Sequence, residues 1–208
     1  MAKQYNALIF LSSFSINSVK IFKASKNFFS YLPFAHDSTY HKKGKNSVTN
    51  FDLSFVGTAD EERYKLLNNL AEYSIILAGD GWNRYDLSKN IKYVSNVNSK
   101  RYASLISKSK FSLNILRKQN KDSHNMKTFE IPSMGGLLLT EKNRDQKSFF
   151  LDNDSCVMYK NVNDIKLKIN SYNKNLKKYS KIKNKGYKIV KKNSYKDRVK
   201  YLIKTIYD

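Results

Sequence analysis

The chain has 208 residues, of which 40% are hydrophobic and 13% aromatic, and this composition is that of a globular protein rather than a disordered one. No run of 18 apolar residues occurs, so the sequence predicts no transmembrane helix. The formal net charge is +22, and residues 159–208 hold 16 lysines and arginines against three acidic residues. This excess of positive charge would favour binding to a polyanion or to an anionic membrane surface, although a lysine-rich solvated surface is the simpler explanation.

The single cysteine excludes an internal disulfide and fits a reducing compartment. Cys156 lies in an apolar run, which favours a buried thiol over a nucleophile. We therefore expect a cytoplasmic protein, with weak peripheral contact at the inner membrane surface as an addition that the charge allows. His36 and His41 lack a cysteine or an acidic cluster at ligand spacing, so we expect no metal site.

The first fifty residues hold two short apolar runs, at 7–11 and 28–32, and each predicts a strand. The first run is too short for a signal peptide and has no clear cleavage site after it. A helix is expected over residues 16–22 between them. Residues 38–50 are polar and basic, as in a surface loop.

From residue 51 onward, predicted strands alternate with predicted helices. The strands are expected at 51–56, 74–78, 111–115, 137–139 and 156–159. Apolar residues recur every three or four positions from Val162 to Tyr179, which predicts one amphipathic helix, and a last helix follows around 199–206. This alternation predicts an α/β fold, namely a Rossmann-like parallel sheet with helices on both faces.

A glycine follows the first of these strands. After Gly57, Thr58 and Glu61 have the spacing of a capping box for a helix. A strand, a glycine and a helix N-terminus together bind phosphate, because free amide groups and the helix dipole face the anion. An ordinary βα turn has the same pattern. Arg63 is placed to contact a pyrophosphate oxygen or to pair with a neighbouring acid.

The second strand leads into Gly79-Asp80-Gly81-Trp82. Ligands in open α/β sheets bind at the carboxyl edge of the strands, which is where these residues are expected to lie. Trp82 is the only tryptophan in the chain. It would either stack on a base or, more simply, pack beneath the loop.

Residues 124–141 read as a short helix, a double-glycine break and a buried strand. Gly135 and Gly136 end the helix, because glycine adopts the left-handed conformation without strain. The following run of three leucines is typical of a parallel strand covered on both faces. Glu130 lies in mid-helix among apolar residues, where an acid is rarely buried without a partner.

This stretch resembles the signature of the group 1 glycosyltransferases, specifically the CgeB-like (spore-maturation-protein-like) branch. That branch reads Asn-x-Arg-x-Phe-Glu, then one or two glycines and an apolar strand that ends in Thr-Glu. The residues that match are Asn125, Phe129, Glu130, Gly135, Gly136, Thr140 and Glu141, and Lys127 replaces the arginine. Further similarity lies in Phe55-Val56-Gly57-Thr58 with Glu62-Arg63, in Gly79-x-Gly81-Trp82, in Leu113-Asn114-Ile115, in residues 31–37 and in residues 193–198.

The resemblance implies the carboxyl-terminal, donor-binding half of a GT-B fold. Residues 51–208 would form the nucleotide-sugar-binding domain, and residues 1–50 a remnant of the amino-terminal domain with its linker. The implied activity is metal-independent and cofactor-free transfer of a sugar from a nucleotide-diphosphate sugar to an unknown acceptor. Either the chain is a fragment, or a partner chain supplies the acceptor domain, or the domain acts differently.

The resemblance also assigns site residues. Glu130 would hold the ribose hydroxyls, and Asp122 stands eight positions earlier, where the wider family has a second glutamate. With His124 these are the candidate catalytic residues. The candidate residues for binding the nucleotide sugar are Gly57, Thr58, Arg63, Gly79, Gly81, Asn125, Lys127, Thr128, Glu130 and Gly135.

Two other functions fit the sequence. Asp122 in place of glutamate and the short amino-terminal part favour a non-catalytic subunit that binds a sugar nucleotide. The net charge of +22 and the 15 tyrosines suggest a basic protein that binds polyanions or nucleic acid. Because the lysines are dispersed and form no known motif, nucleic acid is the least favoured partner.

Overall fold

The structure is a computed structural model that describes residues 9–11, 29–44, 48–95, 97–120 and 122–207. The strands are β1 Ile9–Leu11, β2 Phe29–Tyr31, β3 Phe51–Val56, β4 Ile75–Ala78, β5 Ile91–Val94, β6 Ser109–Asn114, β7 Leu138–Glu141 and β8 Val157–Tyr159. The helices are α1 Glu61–Asn68, α2 Ser99–Ser107, α3 Lys127–Ser133, α4 Arg144–Phe149, α5 Val162–Tyr172, α6 Leu176–Val190 and α7 Tyr195–Tyr207. The helix predicted over residues 16–22 lies outside the described residues.

The main sheet has six strands in the order β5-β4-β3-β6-β7-β8, and every neighbouring pair is parallel. Helices cover both faces, so the predicted Rossmann-like fold is confirmed. β1 and β2 pair in parallel in a separate two-stranded sheet. None of the described helices is long and apolar enough to cross a membrane.

The leucine run of β7 shows why buried parallel strands are apolar at consecutive positions. Leu138 packs into a cluster with Ile106 of α2 and Phe129 of α3. Its neighbour Leu139 points to the opposite face and packs with Phe111 and residues of α5 and α6. Because successive side chains alternate between faces, both positions must be apolar when helices cover both sides.

Three local predictions need correction. The structure has an additional strand, β5, at the sheet edge, where Ile91, Lys92, Tyr93 and Val94 mix apolar and polar positions. The predicted single helix from Val162 to Tyr179 is two helices, α5 and α6, separated by a short 3-10 turn at Asn173–Asn175. The lysine- and asparagine-rich sequence continues the apolar period through this turn, so the period alone did not show the break.

The predicted capping box at Thr58 and Glu61 is also wrong. Helix α1 begins at Glu61, and the side chain of its N-cap Asp60 accepts a hydrogen bond from the backbone of Arg63. Aspartate is as good an N-cap as serine or threonine, and its position immediately before the helix is the one that a cap requires.

The order of the strands creates a crevice between β3 and β6. The chain runs from β3 outward to β4 and β5, then returns to form β6 on the other side of β3. The connections from β3 and β6 therefore leave the carboxyl edge in opposite directions. This is the topological switch point at which open α/β sheets bind ligands.

The linker before β3 is fixed to the domain by its backbone. The Arg198 guanidinium donates to the carbonyl oxygen of Pro33 at 3.1 Å, and His36 forms a β-bridge with Ser194. The backbone N–H of Phe34 donates to Nε2 of His124 at 3.0 Å. The last helix and the linker thus meet on one side of the sheet, where they flank α3.

Candidate functional site

A cavity of about 370 Å³ opens at the switch point. Its lining includes Gly57 and Thr58 after β3, Ile115 and Arg117 after β6, and Lys127 at the start of α3. Since each of these residues follows a parallel strand or the loop beyond it, they meet at the carboxyl edge. We refer to this space as the switch-point cavity.

Gly79 shapes the cavity wall through a close approach to Gly57. Its φ angle is +126°, and a Cβ atom there would lie 2.2 Å from the carbonyl oxygen of Gly57. The backbone of Gly57 in turn donates to the carbonyl of Ala78 at 2.8 Å. Only glycine fits this position, because both the backbone angle and the space exclude a side chain.

Trp82 supports the cavity from below. Its side chain is fully buried, its ring lies edge-on to Phe55, and its Nε1–H donates to the carbonyl of Gly57 at 2.7 Å. Gly81, with a φ angle of +80°, precedes the short turn that carries Trp82. The prediction that this tryptophan packs beneath the loop is therefore confirmed, and neither Gly79 nor Gly81 lines the cavity.

Arg63 ties the two sides of the switch point together. Nη1 donates to the carbonyl of Thr58 at 2.9 Å and Nη2 donates to the carbonyl of Ile115 at 3.0 Å. The side chain is buried, Nε lies 3.4 Å from Asp60, and the guanidinium also faces the Phe55 ring. Because each Nη atom carries two protons, the guanidinium keeps donors for a ligand in the cavity that it lines.

The first turn of α1 is less favourable to an anion than the glycine pattern predicted. Its first turn carries Glu61 and Glu62 in addition to the capping Asp60. Three carboxylates offset the positive end of the helix dipole, and the cap already uses one of the free amides. The cationic side chains around the cavity, rather than this helix end, therefore carry its attraction for an anion.

Arg117 is a cavity residue that the sequence reasoning missed. It follows β6, lines the cavity, is partly exposed and lies 3.8 Å from Asp60 through Nε. The sequence signal was partial, since a basic residue three positions after a buried parallel strand is expected at the carboxyl edge, but the place of that strand beside the switch point depends on the strand order. With Arg63 and Lys127 it gives the cavity three positive charges.

Lys127 and Glu130 form an ion pair at the cavity margin. Lys127 Nζ donates to Oε2 of Glu130 at 3.1 Å, and Nε2 of His41 on the linker lies 3.8 Å from Oε1. Burial alone would lower the pKa of Lys127, but the adjacent Tyr102 and Glu130 outweigh burial and raise this pKa. Lys127 is therefore charged, and it is the only member of the pair that lines the cavity.

A buried polar network lies beneath the start of α3. Asn125 donates to Oδ1 of Asn114 at 3.0 Å, and the hydroxyl of Thr128 accepts from Gln146 at 3.0 Å. Thr128 is fully buried and has no surface in the cavity. Asn125 does line the cavity, and its Oδ1 atom is buried without a hydrogen-bond partner among the described residues. Oδ1 of Asn125 can therefore accept a hydrogen bond from a ligand hydroxyl.

The structure places His124 outside the cavity, which corrects its assignment as a candidate catalytic residue. The ring is fully buried and its Nδ1 lies 2.6 Å from the buried carboxylate of Asp145. Because a backbone N–H must donate, Nε2 is the acceptor of the Phe34 bond, and Nδ1 carries the proton that Asp145 accepts. Nε2 is used by the linker and Nδ1 by Asp145 of α4, so neither nitrogen faces a substrate.

Two more predicted residues lie away from the cavity. Asp122 is exposed on the loop that leads to α3. Gly135 lines a different cavity, next to Lys43 and Lys183, at the opposite end of α3. The structure thus brings together Gly57, Thr58, Arg63, Asn125 and Lys127, with Glu130 at the margin.

The described residues contain no group of three or more His, Cys, Asp or Glu side chains that could hold a metal ion. Cys156 is buried, and burial raises the pKa of its thiol to about 12, with the nearby Asp152 and Asp154 adding to the effect. A thiol with this pKa is protonated at neutral pH, as expected for a structural cysteine.

A cavity at a topological switch point, lined by three cations and backed by a carboxylate, is suited to a phosphorylated ligand that also carries hydroxyl groups. Residues 62–204 match the family described as glycosyl transferase-like, and the chain therefore belongs to this family. Its sheet is that of the C-terminal Rossmann-like domain of GT-B glycosyltransferases. A search of curated proteins returns no match to the chain.

Solved structures share this fold at low sequence identity. The Anabaena protein Alr3699/HepE in complex with UDP superposes with a TM-score of 0.77 at 11% identity over 96% of this chain and 63% of that one. Sucrose-phosphate synthase from Thermosynechococcus elongatus superposes with a TM-score of 0.75 at 9% identity over 96% of this chain and 57% of that one. The chain therefore spans less than two thirds of either protein.

A third structure is a single domain. The C-terminal domain of a group 1 family glycosyl transferase, LpcC from Francisella tularensis, superposes with a TM-score of 0.56 at 12% identity. The match covers 74% of this chain and 96% of that domain. The part of the chain that matches is therefore comparable in extent to one domain of that enzyme.

Proposed function

We propose that this chain is the donor-binding domain of a glycosyltransferase that transfers a sugar from a nucleotide-diphosphate sugar to an acceptor. The observation that carries the proposal is the set of three cations, Arg63, Arg117 and Lys127, around the switch-point cavity. A diphosphate is the ligand group that best matches three clustered positive charges at this edge of the sheet. Solved relatives bound to UDP and to UDP-glucose support the same ligand class.

The cations would act on the leaving group. As the bond between the sugar and the diphosphate breaks, negative charge grows on the diphosphate oxygens. Fixed cations next to that charge stabilise the transition state more than the ground state, which accelerates the reaction. Arg63 is already held by two backbone carbonyls, so it needs little reorganisation to act in this way.

Glu130 would hold the ribose. An ionised carboxylate accepts two hydroxyl hydrogen bonds, and the side chain lies beside Lys127, next to the diphosphate position. Asp122 on the exposed loop would reach the sugar only after that loop moves toward the cavity. Thr58 would contribute its backbone amide to the phosphates, and Gly57, whose own amide is held by the carbonyl of Ala78, would leave room beside it because it has no side chain.

Several finer assignments belong to the same proposal. We place the chain in the CgeB-like branch on its signature residues, and the division into residues 1–50 and 51–208 remains our expectation. The transfer would need neither a metal nor a cofactor. If this chain does not provide an acceptor domain, a partner chain would supply it. Weak contact with an anionic membrane surface remains a prediction from the charge.

A non-catalytic subunit that binds a sugar nucleotide is the second candidate. The observation that favours it is the buried position of His124, which leaves the cavity without the predicted histidine. Both candidates bind the donor, and they differ in whether a sugar is transferred once an acceptor domain and an acceptor are present.

Calorimetric titration with UDP tests the shared part of both candidates. We expect the wild-type chain to bind UDP and Arg117→Ala to bind it about tenfold more weakly, because Arg117 is partly exposed and contributes charge rather than folding stability. Lys65→Ala is the matched control, since Lys65 is an exposed cation that pairs with Glu61 on α1. A wild-type chain that binds no nucleoside diphosphate would refute the proposal.

A further inference from the structure

Tyr102 of α2 carries a hydroxyl group that the fold does not satisfy. The residue is 7% exposed, and its hydroxyl oxygen is buried without a well-formed hydrogen bond to any described residue. Burial raises the pKa of this hydroxyl to about 12, while the nearby Lys127 ammonium acts to lower this pKa and the Glu130 carboxylate acts to raise it. A buried hydroxyl without a partner costs free energy, so its presence calls for a reason.

The Tyr102 side chain lies beside the Lys127–Glu130 ion pair at the cavity margin. Lys127 Nζ lies 4.7 Å from the centre of the Tyr102 ring while it donates to Oε2 of Glu130 at 3.1 Å. The Glu130 side chain is only 11% exposed, and its other oxygen lies 3.8 Å from Nε2 of His41. In the free protein, therefore, Glu130 depends on Lys127 for its one close charged partner.

A bound nucleoside diphosphate places two demands on this pair. Lys127 must turn from Glu130 toward the diphosphate, because it lines the cavity and Glu130 does not. Glu130 must stay ionised and correctly oriented to accept the ribose hydroxyls. A carboxylate that is mostly buried and loses its only close cation becomes costly unless another donor replaces that cation.

We propose that Tyr102 is a positioning residue for Glu130, and that its hydroxyl donates to the Glu130 carboxylate when Lys127 turns to the diphosphate. This inference rests on the proposed function, because it assumes that Lys127 binds a diphosphate and Glu130 a ribose. It explains why a hydroxyl without a partner is retained beside an ion pair. The exchange of partners occurs only when a diphosphate is present.

His41 holds the opposite side of the carboxylate. The backbone N–H of Asp37 donates to Nδ1 of His41 at 3.0 Å, so the neutral ring carries its proton on Nε2, the atom that faces Glu130. The Asp37 carboxylate accepts from the backbone of Thr39 at 2.7 Å and of Tyr40 at 3.2 Å, which closes the turn that presents His41. Glu130 would thus keep two neutral donors after Lys127 leaves.

The test compares UDP with uridine on the wild-type chain, on Tyr102→Phe and on Tyr73→Phe. Calorimetry or NMR titration gives each affinity, and a thermal melt gives each stability. We expect Tyr102→Phe to bind UDP about tenfold more weakly, the scale of one hydrogen bond to a charged group. Uridine should bind Tyr102→Phe as it binds the wild type, because without a diphosphate Lys127 stays on Glu130.

Stability should separate this role from a structural one. Removal of a buried hydroxyl that has no partner should leave the melting temperature of Tyr102→Phe unchanged or raise it. Tyr73→Phe is the matched control, because its hydroxyl donates to Asn170 at an exposed position before β4, at the opposite edge of the sheet. This variant should bind both ligands like the wild type.

Three outcomes would overturn the inference. If Tyr102→Phe binds UDP as tightly as the wild type, the inference fails while the proposed function stands. If Tyr102→Phe weakens UDP and uridine equally, Tyr102 supports Glu130 at all times and no exchange of partners occurs. If the wild type binds neither UDP nor any other nucleoside diphosphate, the proposed function fails and the inference fails with it.

Discussion

Glu130 divides its two carboxylate oxygens between Lys127, 3.1 Å from Oε2, and His41, 3.8 Å from Oε1. Its position next to apolar residues identified it in the sequence as an acid that needs a partner. The partners themselves are one turn away on α3 and some ninety residues away on the linker. The first was within reach of sequence reasoning, whereas the second depends on how the linker folds back.

We predict that Glu130→Gln weakens UDP binding by roughly 1.5–3 kcal/mol, the usual scale for hydrogen bonds to a charged group. The released Lys127 should bind the diphosphate more readily and shift the loss toward the lower end of this range. Calorimetry together with a melt is the measurement, because glutamine fills the same volume and should preserve the fold. A lowered melting temperature with unchanged UDP affinity would make Glu130 a structural acid.

Lys127→Ala provides the contrast to this variant. It should weaken UDP binding strongly and uridine binding much less, because Lys127 acts on the diphosphate. Equal losses for both ligands would show that Lys127 acts through Glu130 alone.

For a substitution at His124 we predict a loss of stability rather than a loss of UDP affinity. His124→Ala leaves the buried Asp145 carboxylate without the ring that lies 2.6 Å from it, and breaking such a pair costs about 3–5 kcal/mol. We expect a strongly lowered melting temperature and an unchanged UDP affinity of the folded fraction. Ser123→Ala is the control, since it removes only two long bonds, of 3.3 Å to Asp145 and 3.4 Å to His124 Nδ1, and should have a small effect. A stable His124→Ala chain with weak UDP binding would restore a site role for this histidine.

The strands that the sequence predicted best are those covered on both faces, because most of their buried positions are apolar and two of the buried polar exceptions, Ser54 and Ser112, bond to each other. β3, β4, β6, β7 and β8 are of this kind, and each agrees with its prediction within a few residues. β5 is an edge strand that carries Lys92 and Tyr93, so its pattern is weak and it was missed. Arg117 was missed for a related reason: its role depends on β6 lying beside β3, and strand order is not visible in a local pattern.

The close approach of the β3 and β4 ends makes Gly79 the most restricted glycine near the cavity. Gly79→Ala would place a Cβ atom 2.2 Å from the Gly57 carbonyl at a φ angle of +126°. We predict a loss of more than about 2 kcal/mol of folding stability, together with weaker UDP binding as the Gly57 loop shifts. Urea denaturation and a UDP titration measure the two effects.

Gly57→Ala is the matched control for this change. Its Cβ atom would meet only the edge of the Phe55 ring at 3.0 Å, and a ring can shift by a few tenths of an ångström. This variant should therefore be the more stable of the two. The argument fails if Gly79→Ala is as stable as the wild type.

At the scale of the whole molecule, the proposed donor binding and the proposed transfer reaction make different demands. The cations of the cavity, the polar network beneath α3 and Glu130 all belong to one sheet and its helices. The chain spans 57% of sucrose-phosphate synthase and 63% of Alr3699/HepE. The proposed donor binding can be tested on this chain alone, whereas transfer also needs groups that hold an acceptor.

We predict that UDP raises the melting temperature of the isolated chain. A ligand at 100 times its Kd stabilises the folded state by about 2.7 kcal/mol, which corresponds to roughly 5–11 °C for a domain of this size. UDP-glucose should produce a similar shift, because the diphosphate and the ribose make the main contacts. EDTA should leave both shifts unchanged if the cations alone neutralise the diphosphate. An equal shift with inorganic sulfate at the same ionic strength would mean that the cavity binds anions in general, and the assignment of Glu130 to a ribose would then fall.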